Sequence, residues 1–191
     1  MDDALKHTSL FEEHVALGAA FTDFGGWQMP VRYTSDLVEH AAVRTAAGIF
    51  DISHMAEFFV TGNQSADFLD HALVGVASEI PIGRAKYSLI TDELGRVLDD
   101  LIVYRLEQEF FLIREVVSAA LKSRVQNFDV NLQDVSDDFS LIAVQGPRAV
   151  EIMKRLTDAP LEELKYYSIH QGHLAGCEVF FARTGYTGED G

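Results

Sequence analysis

Residues 87–104, YSLITDELGRVLDDLIVY, decide how this chain folds. Two apolar runs flank a polar turn of Thr91, Asp92, Glu93, Leu94 and Gly95, which predicts strand, tight turn, strand. The second run carries adjacent acids, Asp99 and Asp100, between Val97-Leu98 and Leu101-Ile102-Val103, and a strand apolar on both faces is buried on both faces. Consecutive strand side chains point to opposite faces, so the two carboxylates cannot serve one site. Burying an ionised carboxylate costs several kcal/mol without a partner, so one reading turns at least one acid toward a polar cavity. The other reading leaves both at a solvated strand end just past the turn.

Working outward, 191 residues of which 48% are hydrophobic suffice for one large domain or two small ones. Fifteen Lys and Arg against thirty Asp and Glu give a net charge of -15, which leaves no basic field for a phosphate backbone and argues against nucleic acid as a partner. No run approaches the roughly 20 apolar residues of a membrane span, and residues 1–7 do not read as a targeting segment, so a soluble cytoplasmic protein is expected. The single cysteine, Cys177, fits a reducing compartment and reads as a small packed residue.

Upstream, residues 9–21 place Leu10, Phe11, Val15, Leu17 and Phe21 among acids, a short helix ending near Gly18. Gly25 and Gly26 beside Trp27, followed by Pro30, predict a sharp turn under a large ring. Ser35 opens a second helix with Val38, Ala41, Ala42 and Thr45 on one face and Gly48 as its stop. Residues 49–55, IFDISHM, alternate as a strand with Asp51, Ser53 and Met55 on one side and Ile52 and His54 on the other. That geometry argues against a hydrolase triad, whose members come from separated segments, and His54 is expected to bond locally to backbone or a carboxylate.

A strand at 57–61, a helix at 62–73, a strand at 110–113 and a helix at 114–128 with Val117, Ala120, Leu121 and Val125 on one side complete the middle. A strand at 141–144 runs into Gln145-Gly146-Pro147, with Pro147 at the first position of a helix lined by Val150, Met153 and Leu156 and closed by Pro160. His170 and His173 lack any acid or cysteine at metal-ligand spacing and read as a surface loop, so no metal is expected. Residues 183–191, RTGYTGEDG, put glycines around an aromatic and two acids, a loop that lets a ligand approach the backbone.

With these segments placed, the chain resembles the aminomethyltransferase (T-protein) family of the glycine cleavage system from about Leu10 onward. The resemblance rests on Phe24-Gly25-Gly26-Trp27 with Met29-Pro30, Val43-Arg44, Phe50-Asp51-Ile52-Ser53-His54-Met55, Tyr87, Asp99-Asp100-Leu101-Ile102-Val103, Gln145-Gly146-Pro147 and residues 183–191, all in order. It implies an α+β, folate-binding aminomethyltransferase-like fold. Its discontinuous first domain would comprise 1–50 and 140–191, a second α+β domain would be inserted over 51–139, and the family's C-terminal barrel domain would be absent. It also implies transfer of an aminomethyl carbon from the lipoyl arm of H-protein to tetrahydrofolate, with ammonia released and 5,10-methylenetetrahydrofolate formed. By position, Asp100 corresponds to the catalytic carboxylate, Met55 and Tyr87 to pterin-pocket walls, and Tyr186 and Glu189 to further ring contacts, which leaves Asp99 structural.

Two departures stand out. The family runs into an asparagine-containing segment after the 110–113 strand, where this chain has Arg114-Glu115-Val116-Val117, and it continues for about as long again. The chain by itself is therefore expected to be a truncated and poorly active form. Two other functions compete. A folate-binding regulatory or tRNA-modification-linked relative would carry lysine-glycine-cysteine-tyrosine where this chain has Arg183-Thr184-Gly185-Tyr186. The folate part of a dimethylglycine or sarcosine oxidase would be joined to a flavin-binding segment that this sequence does not show.

Overall fold

The computed structural model describes residues 4–115 and 118–191. In chain order its elements are α1 (Phe11–Ala16), β1 (Ala20–Phe24), β2 (Trp27–Arg32), α2 (Asp36–Thr45), β3 (Gly48–Asp51), β4 (Ala56–Thr61), α3 (Ser65–Ala72), β5 (Arg84–Thr91), β6 (Val97–Glu107), β7 (Phe110–Glu115), α4 (Ser118–Arg124), β8 (Asn131–Asp134), β9 (Ile142–Gln145), α5 (Ala149–Met153), β10 (Ile169–Leu174) and β11 (Cys177–Ala182). They form two compact units. The first takes the chain up to His54, residues 140–155 and residues 185–191; the second takes 55–139 and 156–184.

The second unit is built on the stretch that opened the sequence. β5 and β6 form the expected hairpin, with Gly95 at φ 78° in the turn and Asp92 Oδ1 accepting from the Leu94 and Arg96 amides. This hairpin edges an antiparallel five-stranded sheet in the order β5-β6-β7-β4-β8. On one face Ile90, Leu101, Val103, Phe58, Val60, Phe111 and Ile113 meet Phe68 and Leu69 of α3 and Leu121 of α4. Side chains such as Phe58, Phe68, Phe111 and Leu121 are fully buried, each worth about 1.5–3 kcal/mol by area removed from water. The other face carries Ile102, Tyr104 and Leu112, packed with Phe59 and Ala85 against Ile169 of β10 and Phe180 and Ala182 of β11.

That packing explains why 156–184 joins the second unit, although the expected first domain ran unbroken from 140 to 191. Backbone bonds reinforce it: the Ala85 amide donates to the Tyr167 carbonyl at 2.9 Å and the Ile169 amide to the Gly83 carbonyl at 3.0 Å. His170 and His173, expected in a loop, therefore lie in β10, paired with Phe181 and Glu178 of β11. Cys177 begins β11 and is exposed, not packed.

The first unit holds two small antiparallel pairs, β1 with β2 and β3 with β9. Gly25 (φ 60°) and Gly26 (φ 87°) make the expected turn at Trp27, with Asp23 Oδ1 accepting from the Gly26 amide. Helix α2 starts beside Ser35 as expected, but the Ser35 side chain makes no cap; the Glu39 carboxylate instead accepts from the Tyr33 and Thr34 amides. Strand β3 ends at Asp51, so the alternation expected through Met55 stops there. Helix α5 begins at Ala149, so Pro147 lies in the preceding turn rather than at the first helical position. The expected helix face through Val117 lies partly outside the described residues, and α4 accounts for its remainder.

Candidate functional site

The register of the second unit's sheet sorts its chemistry by face. Tyr87 pairs with Ile102 and Leu89 with Asp100, so Tyr87, Asp100 and Ile102 share the face that β10 and β11 partly cover. Asp99 pairs with Ile90 on the opposite, helix-covered face. The two acids thus separate as the alternation requires. Both precede the buried part of β6, which starts at Leu101: Asp100 is exposed, and Asp99 is half-buried with its Oδ1 accepting from the Asp100 amide at 2.9 Å.

Tyr87 and Asp100 are diagonal neighbours across the β5–β6 pair, so the Asp100 charge acts on the Tyr87 phenol. Loss of hydration first, then the neighbouring Asp100 carboxylate, raise the phenol pKa above its ordinary value. Tyr87 therefore remains a donor through neutral pH, and the residue is 44% exposed. An exposed carboxylate beside an exposed aromatic ring can accept from a ligand's N–H while the ring lies against a flat heterocycle. Met55 is half-buried immediately before β4, at the same end of the sheet as Asp100, and two strand spacings separate β6 from β4, about 10 Å. Glu57 shares the face of Phe59 and is buried; no sequence signal marks it, because burial of a strand acid depends on neighbouring strands.

Tyr186 and Glu189 belong to the first unit, on the loop 185–191. The buried Gln145 side chain at the end of β9 organises this loop: its Oε1 accepts from the Tyr186 amide at 3.1 Å and the Thr187 amide at 3.0 Å. The Gly146 amide donates to the Asp190 carbonyl at 2.7 Å. Gly146 sits at φ 137°, and a Cβ there would lie 2.5 Å from the Ala46 carbonyl oxygen, so only glycine permits this approach. Arg44 at the end of α2 completes the frame, donating from one terminal nitrogen to the Thr187 carbonyl at 2.9 Å and pairing through the other with Glu189 Oε1 at 2.9 Å. Tyr186 projects with 65% exposure.

A further polar cluster in this unit surrounds Asp51. Its Oδ2 accepts from Thr8 Oγ1 at 2.6 Å and from His14 Nε2 at 2.8 Å, its Oδ1 accepts from the Ser53 amide at 3.0 Å, and Tyr33 donates to His14 Nδ1 at 2.9 Å. Burial pushes the Asp51 pKa up, but the bonds from His14, Thr8 and Ser53 outweigh it and hold the carboxyl below its ordinary value. Asp51's histidine partner is thus His14 and not the neighbouring His54. The expectation that His54 bonds locally is not met: Nδ1 is buried without a hydrogen-bond partner, and the ring stands edge-on to Phe24 with centroids 5.1 Å apart. Burial lowers the His54 pKa, against the opposing charge of Asp51.

The second unit thus carries an aromatic-carboxylate pair on a sheet face, and the first unit a glycine-rich loop with a second tyrosine and carboxylate, within a mixed α/β architecture. The chain belongs to the GCVT N-terminal domain family, whose pattern matches residues 10–191. An aminomethyltransferase from Saccharopolyspora erythraea is 54% identical over 192 residues, covering 97% of this chain and 52% of that protein. The crystal structure of the glycine cleavage system aminomethyltransferase T from Bartonella henselae superposes with a TM-score of 0.89 at 35% identity, covering 97% of this chain and 52% of that one. A heterotetrameric sarcosine oxidase from a Corynebacterium species shares the fold alone, with a TM-score of 0.58 at 17% identity over 78% of this chain and 77% of that one. The chain spans about half the length of the curated relatives it matches. Among the described residues no helix is long and apolar enough to cross a membrane, and no cluster of three or more His, Cys, Asp and Glu side chains forms a metal site.

Proposed function

We propose that this chain supplies the tetrahydrofolate-binding surface of a glycine cleavage aminomethyltransferase, which passes an aminomethyl carbon from the lipoyl arm of H-protein to tetrahydrofolate, releases ammonia and yields 5,10-methylenetetrahydrofolate. Kinship with aminomethyltransferases supports the reaction class. The observation that carries the site is the Tyr87–Asp100 pair, an exposed tyrosine and an exposed carboxylate set as diagonal neighbours on one sheet face. Asp100 accepts from the folate nitrogen that attacks and offsets the positive charge that grows on the aminomethyl carbon as its bond to sulfur breaks. Tyr87, with Met55, supplies apolar wall. Tyr186 lies against the ring, and Glu189 accepts from its N–H edge. Asp99, on the other face, supports the strand.

Calorimetric titration of tetrahydrofolate tests binding, and ammonia release from aminomethylated H-protein, in this chain and in a protein extended to the length of its relatives, tests transfer. Asp100→Asn is expected to lower turnover about 100-fold while changing the folate Kd by less than about threefold, because the interaction strengthens in the transition state. Asp99→Asn is expected to lower stability instead. The reverse pattern would overturn the assignment of the two faces.

A further inference from the structure

We propose that Arg44 is the positioning residue that sets the Glu189 carboxylate for ligand recognition, an inference that rests on the folate reading above. The loop 185–191 is regular in neither helix nor strand, and its backbone is already held by Gln145 and Gly146 at Tyr186, Thr187 and Asp190. None of those bonds fixes the Glu189 side chain, whose three rotatable bonds would otherwise leave its carboxylate free to sweep. The guanidinium of Arg44 does: one terminal nitrogen holds the Thr187 carbonyl and the other holds Glu189 Oε1, each at 2.9 Å. One rigid, planar fork thereby ties the carboxylate to the backbone two residues before it in the same loop.

With Oε1 occupied, Oε2 is the acceptor left for a ligand N–H. The Arg44 side chain is 45% exposed and that of Glu189 22%, so the pair itself adds little to stability and its principal effect is geometric. Lysine cannot substitute, because a single ammonium has no pair of coplanar donors to span the two acceptors. The sequence placed Val43-Arg44 in the family pattern but supplied no role for it; the role follows from Arg44 and Thr187, 143 positions apart in the chain, closing on one another.

The test is a double-mutant cycle on tetrahydrofolate affinity in this chain, with Trp27 fluorescence and circular dichroism confirming that each variant folds. Arg44→Ala and Arg44→Lys are each expected to weaken binding about tenfold, Glu189→Gln about tenfold or more, and Arg44→Ala to cause no further loss in the Glu189→Gln background. Arg44→Gln replaces Arg44→Ala if the latter does not fold. Equal losses from Arg44→Ala in both backgrounds, or wild-type affinity in Arg44→Lys, would overturn the positioning role while leaving the folate site intact. Unchanged affinity in Glu189→Gln would overturn the role of both residues. Absence of folate binding by the wild-type chain would overturn the functional reading itself, and the Arg44 role with it.

Discussion

Replacing Asp51 should destabilise the first unit by an amount the structure allows to be worked out. The carboxylate accepts from Thr8, His14 and the Ser53 amide, and its side chain is only 1% exposed. Hydrogen bonds to a charged group contribute roughly 1.5–3 kcal/mol and neutral ones roughly 0.5–1.5, so charge adds about 1 kcal/mol to each of the three. In Asp51→Asn the amide oxygen can keep the Ser53 amide while the NH2 turns toward Thr8 and His14. His14 then accepts at Nε2 and donates from Nδ1 to Tyr33. The bonds survive as neutral ones and the loss is about 3 kcal/mol. Asp51→Ala leaves Thr8 and His14 without their acceptor and should lose more, about 4–5 kcal/mol.

Trp27, the only tryptophan, lies on β2 in the same unit, so its fluorescence during urea unfolding reports on this cluster. With a slope of about 2 kcal/mol per molar urea, Asp51→Asn should shift the midpoint down by about 1.5 M. The pH dependence has a fixed sign. The Asp51 pKa is lowered in the folded chain, so its stabilisation is complete above the ordinary carboxylate value of about 3.9 and is lost as pH falls through the folded value. The gap between wild type and Asp51→Asn should therefore close in acid. A shift under about 0.5 kcal/mol at pH 7, or a gap undiminished at pH 2, would refute this account of Asp51.

Other expectations are tested as directly. Met55→Ala and Tyr87→Ala should each weaken tetrahydrofolate binding by about 1–3 kcal/mol through lost apolar contact, and unchanged affinity in a folded variant would leave both residues purely structural. Gly146→Ala should cost more than about 2 kcal/mol in thermal unfolding, because the added Cβ meets the Ala46 carbonyl at 2.5 Å and the φ of 137° disfavours any side chain; a melting temperature equal to wild type would show that this turn relaxes. His54 should titrate below the ordinary 6.5, since burial depresses its pKa, and an imidazole NMR titration midpoint above 6.5 would contradict that.

The sequence alone determined the features that depend on neighbours along the chain. The β5–β6 hairpin was legible because apolar runs flank Asp92-Glu93-Leu94-Gly95, and that turn closes with bonds among its own residues. The separation of Asp99 from Asp100 follows from the two-residue period of any strand, and the loop at 185–191 from its glycines. What needed the tertiary structure lies between segments distant in sequence. His14 is 37 residues from Asp51, and no local pattern tells Asp51 to take that histidine rather than His54 three positions away. β10 was illegible because Ile-His-Gln-Gly-His-Leu has little strand propensity; its conformation is imposed by β11 and by Ile169 docking against β6 and β7. Setting Tyr87 beside Asp100 required the register of two strands, and the grip of Arg44 on the loop required the chain to return across the 143 positions from Arg44 to Thr187. Local propensity and periodicity fix which elements form, whereas burial and hydrogen-bond partners are settled only when those elements compete for one another's surfaces.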